Sequence, residues 1–378
     1  MATLNELLAP QVLFKSVVNR VKKAGDTLQR HYGLQIGASG EDIPGRTGAY
    51  DIYDSVRVPS NMRAPNTGPA RIAANPIAQQ AVTCARFYES VPLYYDRIFP
   101  LRRMGGPASE VDSGGQDYIE HQKATMRERM ASAREWMCAG MMRGSSQVLV
   151  SGDNWIPVYT GGTFTIDWLV PASNKTTLDM TGNGAIIANL WSDVVNADIF
   201  AQVMAIDAAF QQQHGWPLRH IWINGLIWSY VTNNAGLKAR CGSSNMVIAE
   251  NPAWMATAGV NTSDTVANEQ VAEIRCLPGI KWHVFNAGLT INGTFTKFLA
   301  DSGAASAVFT PEPDQAWIAP ISGSEWIQEN EVQPATERRG EYFYPTYYRE
   351  PARIELTAWG LWLPALKVPK CMAIGSVA

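Results

Sequence analysis

Residues 116–144 read QDYIEHQKATMRERMASAREWMCAGMMRG, and this stretch decides the architecture. It holds no proline, and no glycine before Gly140. Ile119, Met126, Met130, Ala133, Met137 and Met141 follow one another at steps of seven, four, three, four and four, which puts them on one helical face. The opposite face carries Lys123, Arg127, Glu128, Arg129, Arg134 and Glu135. Ser113 offers a capping oxygen ahead of the run and Gly144 a residue able to close it. At 1.5 Å per residue such a helix is roughly 40 Å long, more than globular domains usually need. The spacing predicts a strut on which other elements hang.

Working outward, the composition asks what covers this chain. Of 378 residues 46% are apolar, enough for a sizeable core. Only 17% are charged, against about 25% in typical soluble proteins. Thirteen tryptophans and thirteen tyrosines accompany that low charge. Much of the surface is therefore expected to be covered by partners, chiefly copies of the same chain. The competing reading is a compact enzyme with a large core. The net charge of −3 supplies no global basic field for nucleic acid. The five cysteines, Cys84, Cys138, Cys241, Cys276 and Cys371, are scattered and odd in number, which predicts free thiols in a reducing compartment. The start, MATLNELLAPQVLF, lacks the basic opening and long apolar run of a signal peptide, and no stretch of about eighteen apolar residues predicts a membrane span.

Before the strut, Leu13, Val17, Val21, Ala24 and Leu28 repeat at helical steps, and Gly33 ends the run. Lys15, Arg20, Lys22, Lys23 and Arg30 make this helix mildly basic. It reads as an arm that packs on a neighbour. Residues 44–107 hold eight of the 22 prolines. Two extended runs, 50–60 and 79–100, bracket a stretch rich in turn formers, which predicts a long two-stranded projection. A lone hairpin is marginal in water, so this one must lie on something. All eight basic residues here are arginine: Arg46, Arg57, Arg63, Arg71, Arg86, Arg97, Arg102 and Arg103. Arginine forks suit contacts between proteins. Arg57, Arg63, Arg71 and Arg86, with Arg127, Arg129, Arg134 and Glu135 of the strut, are the candidate subunit-interface residues.

Beyond the strut, QVLVSG and WIPVYTGGTFTIDWLVP read as strands. A helix is expected at 193–213 with Val195, Ile199, Val203, Ile206 and Phe210 on one face, stopped by Gly215 and Pro217. LRHIWI (218–223) reads as a buried strand, and Asn224 as the cap of a helix holding Leu226, Ile227, Tyr230 and Val231. KWHVF (281–285) is a strand, and the Asn292-Gly293 pair predicts a tight hairpin. Glu312, Asp314, Glu325, Glu329, Glu331 and Glu337 have no calcium-loop register and read as a solvated face. RIELTAWGLWL (353–363) and MAIGSV close the pattern as strands.

The chemistry-bearing motifs are nearly absent. His31, His121, His214, His220 and His283 make no HExxH and no metal-ligand spacing. There is no G-x-S-x-G elbow and no P-loop, and the Gly182-Asn183-Gly184 start of a dinucleotide fingerprint meets Ile187 where a small residue is required. No catalytic, cofactor-binding or metal residue is expected. The tryptophans sit in apolar, strand-like runs, which assigns them to packing.

Four segments carry a resemblance. GAYDIYDSVRV (48–58), MRERMASAREWMCAGMMRG (126–144), LPGIKWHVFNAGLTINGTFTKFLADS (277–302) and YPTYYREPARIELTAWGLWLPALKVPKCMAIGSVA (344–378) resemble, in this order, segments of the phage major capsid protein E family, the group of the lambda-type head protein. The family departs most from this chain at 60–80 and 240–270. The resemblance implies an α+β Hong Kong 97-type capsid fold. It divides the chain into an N-terminal arm (1–43), an extended β-hairpin loop and its return (44–113), a peripheral domain with the spine helix (114–184), an axial domain (185–310) and returning C-terminal strands (311–378).

It further implies the major capsid protein of a tailed double-stranded DNA phage, assembling into hexamers and pentamers of an icosahedral shell in the host cytoplasm. The implied partners are the chain itself, separate scaffold, portal and decoration proteins, and DNA bound without sequence preference, with no membrane. Lys15, Arg20, Lys22 and Lys23 are the candidates for inner-surface DNA contact. In the cross-linking relative of this fold a lysine on the extended loop joins a neighbour's asparagine. Residues 44–107 have no lysine here, so a shell without that bond is expected. The chain opens directly on the arm, so any scaffold is expected as a separate protein. The alternatives are the shell of a cargo-enclosing nanocompartment and an enzyme with a dispersed active site.

Overall fold

The computed structural model describes residues 27–34, 41–53, 78–94, 113–143, 147–149, 164–242, 246–251, 269–291, 294–303, 305–327, 335–348 and 353–378. Two sheets organise them. The first is built on Arg353–Leu366, a fourteen-residue strand. Its sequence is almost uninterruptedly apolar, and from Ile354 on only Glu355 escapes full burial. It pairs antiparallel with Glu341–Tyr348, from Arg353↔Tyr348 to Gly360↔Glu341. The same residues also pair with Ala85–Tyr94, so the strand is central there. Its far end pairs with Ile318–Ile327, which in turn takes Glu41–Ile43 in parallel and Thr336–Arg339 antiparallel.

The long helix is present as Ser113–Met142, thirty residues, roughly 45 Å at the standard rise. It packs on the central strand. Gly360 makes room for it: a Cβ there would stand 3.2 Å from the Met130 methyl. Ile119, Met126, Met130, Met137 and Met141 are all buried, as their spacing predicts, and Ala133 is partly buried.

The expected charged face is only half right. Arg127, Glu128 and Arg129 lie on it, but Lys123, Arg134 and Glu135 are buried. Arg134 and Glu135 are covered by the short helix Thr27–His31, which docks on that side and is closed by Gly33 at φ +64°. The arm residues before Thr27 lie outside the described residues.

The second sheet has seven strands in the order Lys175–Thr176, Ala373–Gly375, Ala307–Thr310, His220–Ile223, Lys281–Phe285, Glu269–Ile274 and Val247–Asn251. Its alternation separates two cores. Ile221, Ile223, Trp282 and Phe309 face a cluster closed by the helices Ile199–Gln213, Gly225–Asn233 and Ala235–Cys241. Trp222, Phe285 and Val308 face the core shared with the first sheet and the long helix. Asn224 caps its helix as expected, accepting the Ile227 N–H at 2.9 Å.

Three local expectations need correction. The helix expected from 193 begins at Ile199, capped by Asp198. Asp193 instead accepts the N–H groups of Val195 and Asn196 and builds a turn, which leaves Val195 71% exposed. The run 79–100 is not one arm strand. Ala78–Thr83 pairs with Thr47–Ile52 as a two-stranded ribbon, whereas Ala85–Tyr94 joins the first sheet. The break is at Cys84, whose N–H bonds the Arg46 carbonyl. Finally, Cys241 and Cys276, expected as free thiols, form a disulfide with Cα atoms 5.2 Å apart. The end of one helix and the turn after Glu269–Ile274 bring them within bonding range. Cys84, Cys138 and Cys371 are free and buried.

The hairpin expected around Asn292-Gly293 is formed by Gly288–Ile291 and Thr294–Lys297. No helix among the described residues is long and apolar enough to cross a membrane.

Candidate functional site

Three surfaces emerge from this arrangement. The first is the ribbon. Its ladder runs without interruption from Thr47↔Thr83 to Ile52↔Ala78. Tyr50 is its one buried residue among those described, and the other side chains are exposed or half-buried. Tyr50 reaches Gln80 across the ladder, and Gln80 bonds the Asp167 carbonyl. Beyond its Ile52↔Ala78 end the Tyr53 N–H bonds the Lys367 carbonyl at 2.8 Å, and Ile52 and Val82 pack on the main core. Two strands alone are unstable in water, so these contacts with the body hold the ribbon in place. The expected tip, with Arg57, Arg63 and Arg71, lies outside the described residues.

The second surface is the open face of the first sheet. Along Ala85–Tyr94, Phe87 and Leu93 are buried and Glu89 bonds Arg129 of the long helix at 3.0 Å. The alternate residues Arg86, Tyr88, Ser90, Pro92 and Tyr94 point the other way, and all five are exposed. Arg86 bonds Glu325 at 3.0 Å and lies over the Tyr88 ring. Arg353 lies over Tyr348, and Arg338 over Tyr342. On the opposite face, next to Glu325 along Ile318–Ile327, Trp326 is 70% exposed. Tyrosine, tryptophan and arginine are the residues interfaces select.

The third feature is the junction of arm and body. Arg134 donates from Nε to Gln29 Oε1 at 2.9 Å and pairs with Glu341. Glu135 accepts from the backbone of Leu28 and Gln29. These two residues, expected between subunits, are therefore spent within the chain. Beside this junction His31, His220 and His283 meet. His220 Nδ1 lies 2.8 Å from His283 Nε2, and His220 Nε2 lies 2.9 Å from Glu312 Oε2. Burial lowers the pKa of all three rings, that of His31 to about 2, so all are neutral at neutral pH. Sequence reading found no such cluster. Its members come from three distant segments, and only the strand alternation that pairs His220 with Trp222 on one face hinted at it.

Of the eight interface candidates, then, Arg86, Arg127 and Arg129 lie at or near the surface, Arg134 and Glu135 lie inside, and Arg57, Arg63 and Arg71 are outside the described residues. The DNA candidates Lys15, Arg20, Lys22 and Lys23 are also outside them.

The comparisons decide between the readings. The profile of the family described as "Phage major capsid protein E" matches residues 16–320. The chain belongs to the phage major capsid protein E family. Among solved structures it is similar to a prophage protein of E. coli CFT073 assigned as a capsid protein, with 12% identity, 80% of each chain covered and a TM-score of 0.48. It is also similar to a phage-related protein of Bordetella bronchiseptica RB50, with 12% identity, 100% and 98% covered and a TM-score of 0.47. A third likeness is to the capsid of the cyanophage P-SCSP1u, with 11% identity, 89% and 85% covered and a TM-score of 0.39. With scores this low the family membership stands on the profile match alone. No curated protein matches the chain in sequence.

Proposed function

We propose that this phage major capsid protein is the repeating tile of an icosahedral Hong Kong 97-type shell, assembled in the host cytoplasm from hexamers and pentamers around double-stranded DNA. The observation that carries the reading is the family match over residues 16–320. The fold supplies the means. The exposed side of the ribbon Thr47–Ile52/Ala78–Thr83 gains cover by lying against an adjacent subunit. The open tyrosine–arginine face of the first sheet meets another. In this reading the first sheet and long helix form the peripheral domain and the seven-stranded sheet the axial domain. Strands 175–176 and 373–375 then belong with the axial body, as additions to the expected span 185–310.

Assembly rather than catalysis is the work of such a chain. Many modest contacts closed by symmetry give a durable shell, because an intramolecular-like second contact multiplies the first. Lys15, Arg20, Lys22 and Lys23 remain the proposed contacts to DNA phosphates, with salt-sensitive retention as their signature. Scaffold, portal and decoration proteins are proposed as separate chains.

Expression of the whole chain, followed by sedimentation and electron microscopy, tests the reading. Closed particles, open shells or capsomers of five or six copies are expected. A lone monodisperse protomer at high concentration would overturn it, and particles filled with enzyme instead of DNA after infection would move it to the nanocompartment alternative.

A further inference from the structure

We propose that His31, His220 and His283 form a site for one divalent transition-metal ion of the zinc class, pinning the N-terminal arm to the seven-stranded sheet. One ring nitrogen from each residue lies within 4.8 Å of the other two. His31 ends the helix Thr27–His31, while His220 and His283 stand on adjacent parallel strands. The His31 ring meets both others edge-on, at centroid distances of 4.5 and 5.0 Å. Its Nε2 is buried and has no hydrogen-bond partner. A buried polar nitrogen left in that state costs free energy, and a metal ion is one group that removes the cost.

The surroundings match what a histidine site needs. Tetrahedral zinc at about 2.0–2.1 Å from each nitrogen spaces its ligands roughly 3.3 Å apart. The His220 Nδ1–His283 Nε2 distance of 2.8 Å opens slightly to reach that, and the wider separations close. The Glu312 carboxylate holds the far nitrogen of His220, the arrangement that fixes a ligating imidazole's tautomer and raises its basicity. Trp222 stacks on His283 at 4.1 Å and fixes its plane. The cluster lines an open cleft of about 530 Å³ with Val271, Lys281, Glu312 and Pro313, so a fourth ligand, water, can enter. The Lys281 ammonium opposes a dication there, and the Glu312 carboxylate offsets it. With three imidazoles and no thiolate, the donor set suits zinc, nickel or copper rather than calcium or magnesium.

The test uses the untagged full-length chain, stripped by a chelator, desalted, and titrated with zinc chloride or cobalt chloride. About one equivalent of metal is expected to stay bound through a second desalting, with a higher unfolding midpoint. Cobalt is expected to give the visible absorption of a tetrahedral site. His31→Ala is expected to weaken uptake at least about tenfold while far-ultraviolet circular dichroism stays unchanged. Retention of well under one equivalent by the unaltered chain overturns the proposal, as does equal uptake by His31→Ala. Should that variant fail to fold, the cobalt spectrum of the unaltered chain decides, since an octahedral, solvent-like spectrum refutes the three-histidine site.

Discussion

The carboxylate of Glu135 accepts the backbone N–H of Leu28 at 2.7 Å and that of Gln29 at 3.2 Å, 107 and 106 residues away. It also takes the Gln29 side-chain N–H at 3.2 Å. One buried side chain on the long helix thus satisfies the first turn of the arm helix, as an N-terminal cap would. Glu135→Ala leaves those donors buried and unpaired. A loss of about 2–4 kcal/mol of stability is expected in a denaturant melt. Hydrogen exchange at Leu28 and Gln29 is expected to quicken before the central strand's does. Unchanged exchange there would refute the docking.

Gly323 lies where two strands approach too closely for a side chain. A Cβ at this position would stand 2.8 Å from the Gly45 carbonyl oxygen and 3.1 Å from Leu361 Cβ. The first of these is backbone, itself bonded to the Ser324 N–H at 3.1 Å, and cannot swing away. Gly323→Ala is expected to cost about 1–3 kcal/mol, read as a lower urea midpoint. Its direct effect is on the parallel pairing of Glu41–Ile43.

The three free cysteines are expected to be inert in the folded chain. Cys84, Cys138 and Cys371 are buried, and burial raises each thiol's pKa, that of Cys84 to about 12. Thiolate is the reactive form, so little exists at neutral pH. A short iodoacetamide pulse followed by mass spectrometry is expected to leave all three unmodified until denaturant is added. Labelling of Cys138 in the native chain would contradict its packing against the sheet.

Trp326 tests the tiling rather than the fold. At 70% exposure it contributes little to the chain's own core, so Trp326→Ser is expected to shift stability by no more than about 0.5 kcal/mol. If its face meets a second copy, loss of the ring removes on the order of 2 kcal/mol per contact. Shell yield, measured by sedimentation, is then expected to fall sharply while the melting midpoint holds. Full yield would remove this face from the interface.

The long helix was readable because a period near 3.6 leaves its mark in a single segment, from Ile119 to Met141. So were the strand 353–363 and the Asn292-Gly293 hairpin, whose signals are equally local. Arg134 and Glu135 were misplaced for the opposite reason. Periodicity sends charge outward, and nothing near position 135 reveals that two N–H groups from residues 28 and 29 will need it. The histidine cluster and the Cys241–Cys276 bridge fall to the same limit. Each is assembled by topology from segments with no common spacing. Cys84 marks a subtler failure: one residue that belongs to neither strand divides an apparently continuous run between the ribbon and the sheet.

The strand Arg353–Leu366 holds together Ala85–Tyr94, Ile318–Ile327 and Glu341–Tyr348, yet a ribosome makes it after all three. At about 5–20 residues per second Ala85–Tyr94, made far earlier, waits on the order of ten seconds or more with its edges open. A nascent or prematurely terminated chain therefore has no finished surface to offer a growing particle, and translation itself screens out incomplete copies before they can be built in.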